Sequence, residues 1–290
     1  MKPPRFDYVR PANIDEALGL LAEHGGNASI LAGGQSLIPM LNLRMAQPAL
    51  LIDIKGIPGL GGISRDGDQL VIGAASRHNE VLHSPLVRNA APLLGLALQH
   101  VAHEAIRNRG TLGGSLALAD PSAELPACAV CLSADIMAVS VRGERTIPAE
   151  DFFEDLYATA LAPDELIVRV QFPACDDGWC FAFDEVVRRR GDFAIAGVAI
   201  AIRPQNDIIA DCRIVFFGIE SAPKRARGAE AVLAGSSLST SVRERACAAL
   251  NDDLTPIASG EYSPAYRRHL ATVLLARALD QMPEGHNGRL

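Results

Sequence analysis

Two glycine pairs constrain this chain more than any other feature. Ala32-Gly33-Gly34-Gln35-Ser36 follows the apolar run Ile30-Leu31, and Thr111-Leu112-Gly113-Gly114-Ser115 follows a polar stretch at 103–110. Each sets two residues without a Cβ beside a small hydroxyl residue, so backbone N–H groups can turn toward a bound oxygen unobstructed. A single Gly-Gly is more often a tight turn than a ligand loop. Two of similar build suggest a pocket that grips a diphosphate from two sides, and so a dinucleotide. Neither common signature is present. A Rossmann fingerprint needs G-x-G-x-x-G and an acid about twenty residues later, and a P-loop ends in G-K-[ST].

Composition bounds the rest. The 290 residues are 49% apolar and 21% charged, enough for two or three modules with a sizeable core. A net charge of −7 argues against a phosphate-backbone partner, which needs clustered Lys and Arg. No run approaches the roughly 18 apolar residues of a membrane span. The start, Met1 to Phe6, lacks the apolar stretch of a signal peptide, so a cytoplasmic chain without membrane insertion is expected. The six cysteines, at 128, 131, 175, 180, 212 and 247, form no disulfide framework. Cys128 and Cys131 have metal-ligand spacing, but no second tight pair follows and their surroundings are an apolar helix face. They read as packing residues, as do Cys175 and Cys180, and no metal site is expected.

Punctuation divides the chain into three units. In the first, residues 1–57, Asn13 can cap a helix, Glu16 completes a capping box and Gly25-Gly26 is the stop. Ile14, Ala17, Leu18 and Leu21 form its apolar face. A strand at 29–31, the first glycine loop, a helix from Leu37 to Met45 and a buried strand at 50–54 follow. The glycine-rich stretch 56–62 closes this unit. The second unit, 58–175, has strands at 69–74, 135–141 and 165–172 and helical patterns at 78–82, 92–101 and 123–132. The third, 176–290, places three strands (179–187, 194–202, 208–219) before helices at 225–234, 241–250 and 264–282. That order marks an α+β domain, and Pro283 to Leu290 reads as a frayed tail.

Around the second glycine pair the sequence becomes recognisable. Ile106-Arg-Asn-Arg-Gly-Thr-Leu-Gly-Gly-Ser115 fits I-R-N-x-x-[ST]-[LIV]-G-G-[NDS], and Ala32 to Leu37 fits A-G-G-x-S-L. A third stretch, Phe183 to Ala194, carries an aromatic followed by R-R-x-G-D-[FY]-A. Three motifs in this order resemble the FAD-binding medium subunit of the molybdenum hydroxylases, the xanthine dehydrogenase and carbon monoxide dehydrogenase family, over nearly the whole chain.

The resemblance implies an α+β fold: an FAD-binding fold of the vanillyl-alcohol oxidase type, with two α+β subdomains, followed by a C-terminal α+β domain. It implies non-covalent FAD, because neither glycine loop holds a His or Cys. Molybdenum-pterin would belong to a large partner subunit and two [2Fe–2S] clusters to a small one, in a doubled heterotrimer, (LMS)2. FAD would pass electrons to NAD+ or another acceptor, and no side chain would itself be catalytic. Carried over by residue, Ala32, Gly33, Gly34, Gln35, Ser36 and Leu37 would wrap the diphosphate and adjoining ribityl, with Ile30 and Leu31 also in the cofactor-binding set. Thr111, Gly113, Gly114 and Ser115 would meet it from the other side, and Glu124 would accept from the ribose hydroxyls. Val101 and Leu166 would make apolar contacts, with Asp192 and Phe193 near the isoalloxazine. Gln35 departs from the His of carbon monoxide dehydrogenases, and Asp184-Glu185 from a Lys that several relatives carry near the flavin. Arg188 is then a candidate cation, or one of a solvated run with Arg189 and Arg190.

Other residues keep open readings. His100 and His103 flank a helix end, Asp53 caps a turn, and Arg107 and Arg109 either steer the diphosphate or meet a partner. The rival function is a self-sufficient flavin oxidoreductase on the same fold.

Overall fold

The computed structural model describes residues 2–175 and 178–282; the tail at 283–290 lies outside them. The chain opens with β1 (Asp7–Val9), α1 (Ile14–His24), β2 (Ala28–Leu31), α2 (Leu37–Asn42) and β3 (Leu50–Asp53). The strands form a parallel sheet in the order β1-β3-β2. Asn13 Oδ1 accepts the Glu16 N–H at 2.9 Å, and Gly25, at φ 50°, stops α1. Glu16 returns to the N–H of Ala12 at 2.8 Å, one residue earlier than a capping box places it. Ala17, Leu18 and Leu21 bury against Leu50 and Ile52 of the central strand.

The next stretch is a five-stranded antiparallel sheet with its helices inserted between strands. Its elements are β4 (Ile63–Asp66), β5 (Gln69–Gly73), α3 (His78–His83), α4 (Pro85–Ala90), α5 (Pro92–Leu98), α6 (Glu104–Arg107), α7 (Leu112–Leu118) and α8 (Glu124–Cys131). They continue with β6 (Asp135–Ser140), β7 (Gly143–Pro148), α9 (Ala149–Phe152), β8 (Phe153–Asp155), β9 (Ala158–Thr159) and β10 (Leu166–Pro173). The strand order is β4-β5-β10-β6-β7, while β8 and β9 pair separately. Leu93, Leu94 and Leu98 of α5, Leu112 and Leu116 of α7, and Cys128 and Cys131 of α8 pack on Leu70, Ile72, Val170 and Phe172 of the sheet. Burial pushes the thiols of Cys128 and Cys131 well up, as befits small packing residues.

The last stretch is β11 (Cys180–Val187), β12 (Ala194–Gln205), β13 (Ile208–Phe217), β14 (Lys224–Arg225), α10 (Arg227–Leu233), α11 (Thr240–Asp253) and α12 (Pro264–Asp280). The antiparallel sheet runs β11-β12-β13-β14. Asn206 and Asp207, both at positive φ, make the tight β12–β13 turn. Arg225, expected at the start of a helix, instead pairs with Val215 as an edge strand. Ala194 to Ile202 of β12 are buried because the sheet is covered twice. On one side Ala182, Val198 and Ile200 meet Leu270 and Leu274 of α12. On the other, Phe183, Ala199, Val215 and Phe217 join the same core as Leu94, Leu98 and Phe172. Among the described residues no helix is long and apolar enough to cross a membrane.

Candidate functional site

Strand β2 delivers residues 32–36 to the edge of the parallel sheet, ahead of α2. Gly34 has φ 72°, a backbone that only glycine adopts without strain. A Cβ there would also crowd Leu31 and Ile38 at 3.2 Å. Among the described residues, the backbone N–H groups of Gly33, Gly34, Gln35 and Ser36 find no acceptor. Gln35 folds back instead, its Nε2 donating to the Gly33 carbonyl at 3.0 Å. Four successive half-exposed donors without a protein acceptor suit an anion's oxygens.

The second pair differs from its reading as an open loop. It is the first turn of α7, capped by Thr111, whose Oγ1 accepts the Gly114 N–H at 3.2 Å. Gly113 donates to Ala74 O at 2.8 Å and Leu112 to Ser76 O at 3.0 Å. These N–H groups are committed to the protein, so the glycines there serve close approach. A Cβ on Gly113 would lie 2.5 Å from the Ala74 Cβ. A Cβ on Gly33 would lie 2.3 Å from Arg109 O and 2.8 Å from Gly110 Cα. One on Gly114 would reach to 3.8 Å from the Ala32 Cβ. The two segments are therefore in contact, and Gly33 is what lets them touch.

Beyond α7 the chain turns at Ala119, at φ 51°, and buries Asp120. Asp120 accepts the Ser122 N–H at 2.9 Å and the Tyr157 hydroxyl at 3.2 Å. Pro121 O takes the Gly218 N–H at 2.7 Å, tying this turn to the end of β13. Glu124 then opens α8, only 8% exposed. Burial pushes its carboxyl from 4.5 up to about 8, with the nearby Glu185 and Asp120 charges adding. Glu185 of β11 faces the same interior, one oxygen 3.2 Å from His100 Nδ1 and the other without a partner among the described residues.

Other sequence candidates resolve by position. His100 leans on Phe183, with ring centres 5.1 Å apart, and pairs with Glu185 rather than serving a helix end. Asp184, on the opposite face of β11, is held by Arg277 at 2.5 and 2.6 Å. Arg107 spends its Nη1 on the carbonyls of Val101 (2.8 Å) and Ala102 (3.2 Å), so it clamps backbone rather than steering an anion. The turn bearing Arg188, Asp192 and Phe193 rests on that clamped segment, with Gly191, at φ 85°, against Ala102. Arg188 is exposed and 4.0 Å from Glu261, while Asp192 and Phe193 are also exposed. Leu166 lies apart, in the core beneath the parallel sheet with Leu50 and Ile52. Asp53 accepts from Tyr8 (2.5 Å) and from the Lys55 N–H (2.9 Å), the turn cap expected of it. Glu185 and His100 meet across 85 residues of sequence, which no local pattern signals, whereas Arg107 reaches back only five and six residues.

Glu124 carries a pH signature. Its folded value, near 8, exceeds its ordinary 4.5, so the folded chain keeps a proton that the unfolded chain releases. That contribution to stability is complete below about pH 4.5 and drains away as pH rises toward 8. Thermal unfolding of the flavin-free chain at about pH 6 and about pH 8.5 should show the loss, and Glu124→Gln should flatten it. An unchanged slope in that variant would remove Glu124 as its source.

The profile of a family described as the FAD binding domain in molybdopterin dehydrogenase matches residues 4–175. That of the CO dehydrogenase flavoprotein C-terminal domain matches residues 181–282. The chain is 41% identical over 280 residues to subunit alpha of the 6-hydroxypseudooxynicotine dehydrogenase complex of Paenarthrobacter nicotinovorans, covering 96% of this chain and 95% of that one. A solved structure of carbon monoxide dehydrogenase from Hydrogenophaga pseudoflava superposes with a TM-score of 0.94 at 37% identity, over 97% of this chain and 98% of that one. Quinoline 2-oxidoreductase from Pseudomonas putida 86 superposes with a TM-score of 0.92 at 36% identity, over the same shares.

Proposed function

Because the chain belongs to the family of FAD-binding flavoprotein subunits of molybdenum hydroxylases, we propose that it is the point where electrons leave such a complex. Electrons released from substrate at a large subunit's molybdenum-pterin centre cross the [2Fe–2S] clusters of a small subunit. They then reach FAD on this chain and pass to NAD+ or another acceptor. The complex is a doubled heterotrimer in the cytoplasm, and the chain divides into units 1–57, 58–175 and 176–290.

The observation that carries this reading is the contact of the two glycine segments beside four uncommitted N–H groups. FAD, when bound, supplies reversible electron uptake; the protein supplies position and electrostatics. The N–H groups of residues 33–36 bind diphosphate oxygens, flanked by Ile30, Leu31, Ala32 and Leu37. Thr111, Gly113, Gly114 and Ser115 form the opposite wall, whose glycines act by letting the segments close together. Glu124 accepts hydrogen bonds from hydroxyl groups, and a buried carboxyl without a cationic partner is well matched to such donors. Val101 and Asp192 complete the set, Val101 being held by Arg107, while Leu166, buried beneath the parallel sheet, stands outside it.

Purified full-length chain mixed with FAD should retain about one flavin per chain and show dye-linked NAD(P)H oxidation without substrate hydroxylation. A correctly folded chain that takes up no flavin would sink the proposal. Activity of the lone chain on a hydroxylase substrate would favour the self-sufficient oxidoreductase instead.

A further inference from the structure

We propose that His78 is the positioning residue that locks the junction of the two glycine segments, and through it the geometry of the cofactor loop. The inference rests on the reading that this junction holds FAD. His78 opens α3, far in sequence from both pairs, and nothing in its local pattern marks it beyond a helix start. In the fold it holds two successive carbonyls of the second segment. Its backbone N–H donates to Gly110 O at 2.9 Å, and its Nε2 lies 3.0 Å from Thr111 O. Since a carbonyl only accepts, Nε2 carries the hydrogen.

The ring also sets where the first segment can lie. A Cβ on Gly110 would meet the His78 Cε1 and Nδ1 at 3.0 Å, so the imidazole packs directly against this backbone. The same backbone, at Arg109 O and Gly110 Cα, is what Gly33 abuts. His78, Gly110 and Gly33 are therefore in successive contact. Moving the first shifts the last, which begins the run of uncommitted N–H groups. Thr111, fixed by its carbonyl, in turn caps Gly114 with its hydroxyl.

The ring gives something up to sit there. His78 is 7% exposed, and its Nδ1 has no partner among the described residues. An aliphatic side chain would fill that space without stranding a nitrogen, so the donor on Nε2 is the part of the imidazole that the site uses. Burial pushes the ring down to about 4, so it stays a neutral single donor at working pH. Arg77 and Glu80 anchor it from behind, the Arg77 N–H donating to Glu80 Oε2 at 2.8 Å.

The test compares His78→Met, which fills the space without a donor, with His78→Gln, whose Nε2 stands in for the ring nitrogen. Both are made in the full chain. Two readouts are taken: amide hydrogen exchange at Gly114 in the flavin-free protein, and the FAD dissociation constant. The methionine variant should speed Gly114 exchange and weaken FAD about tenfold or more, while glutamine stays within about threefold of the parent; the loss of one donor to a buried carbonyl sets that scale. Parent-like behaviour of His78→Met, or equal damage from both variants, would overturn the proposal. If His78→Met does not fold, His78→Asn replaces it: its shorter amide should fail where glutamine succeeds, and equal behaviour of the two would again overturn it. A parent chain that binds no FAD defeats the proposed function alone, because the exchange comparison still decides the latch.

Discussion

Gly33→Ala is expected to strip the chain of FAD, weakening it about a hundredfold or more, while the fold survives. The added Cβ would stand 2.3 Å from a backbone oxygen and 2.8–2.9 Å from two backbone carbons of residues 109–110. Backbone held by His78 cannot yield as a flexible side chain would, so the two segments must part. Misplacing even two N–H donors to phosphate, at about 1.5–3 kcal/mol each, gives a loss of this size. Stability should change little, because the loop lies at a partly exposed rim. Gly61→Ala is the control, since a Cβ there meets nothing within 4 Å and its φ is ordinary. The ratio of flavin to protein after gel filtration is the measurement. Parent-like occupancy in Gly33→Ala would remove the segment junction from the binding site.

Gly197→Val should be the most damaging change to the fold. Gly197 of β12 stands opposite Phe217 of β13, and the Phe217 ring lies across it. A Cβ there would be 2.0 Å from Cζ of that ring, with two further ring atoms within 2.7 Å. Phe217 is fully buried and stacked on Phe183 at 5.5 Å, so it has no vacant rotamer to enter. Overpacking of this kind costs about 3 kcal/mol or more, visible as a lower urea midpoint. The damage should also reach the site, because Phe183 supports His100, which pairs with Glu185 near Glu124. A variant with an unshifted midpoint would contradict the packing of Phe217 over Gly197.

Local rules made much of the architecture legible. Asn13, Gly25 and the spacing of Ala17, Leu18 and Leu21 define α1 because caps and periodicity act within a few residues. The strand β4 escaped notice because three of its four residues face solvent, leaving no alternation to read. The helix α7 was hidden by its own Gly-Gly, which lowers helix propensity. It forms because Thr111 caps it and Leu112 and Leu116 bury. In the site, motif spacing singled out residues 32–36, yet the reason for Gly33 lies in Arg109 and Gly110. Non-local demands of that kind also define His78 and the His100–Glu185 pair. A linear pattern shows that a glycine is present but not whose backbone it admits.

The core shared by Phe183, Val215 and Phe217 with Leu94, Leu98 and Phe172 sets a rule for recombination. Two family profiles meet in the short interval between residues 175 and 181, which looks like a natural crossover point. A chimera joined there would mate one half of a packed interior with a stranger's other half. Its mismatched volumes would fall behind Glu185 and His100. A volume change on one side of that seam therefore calls for a compensating change on the other.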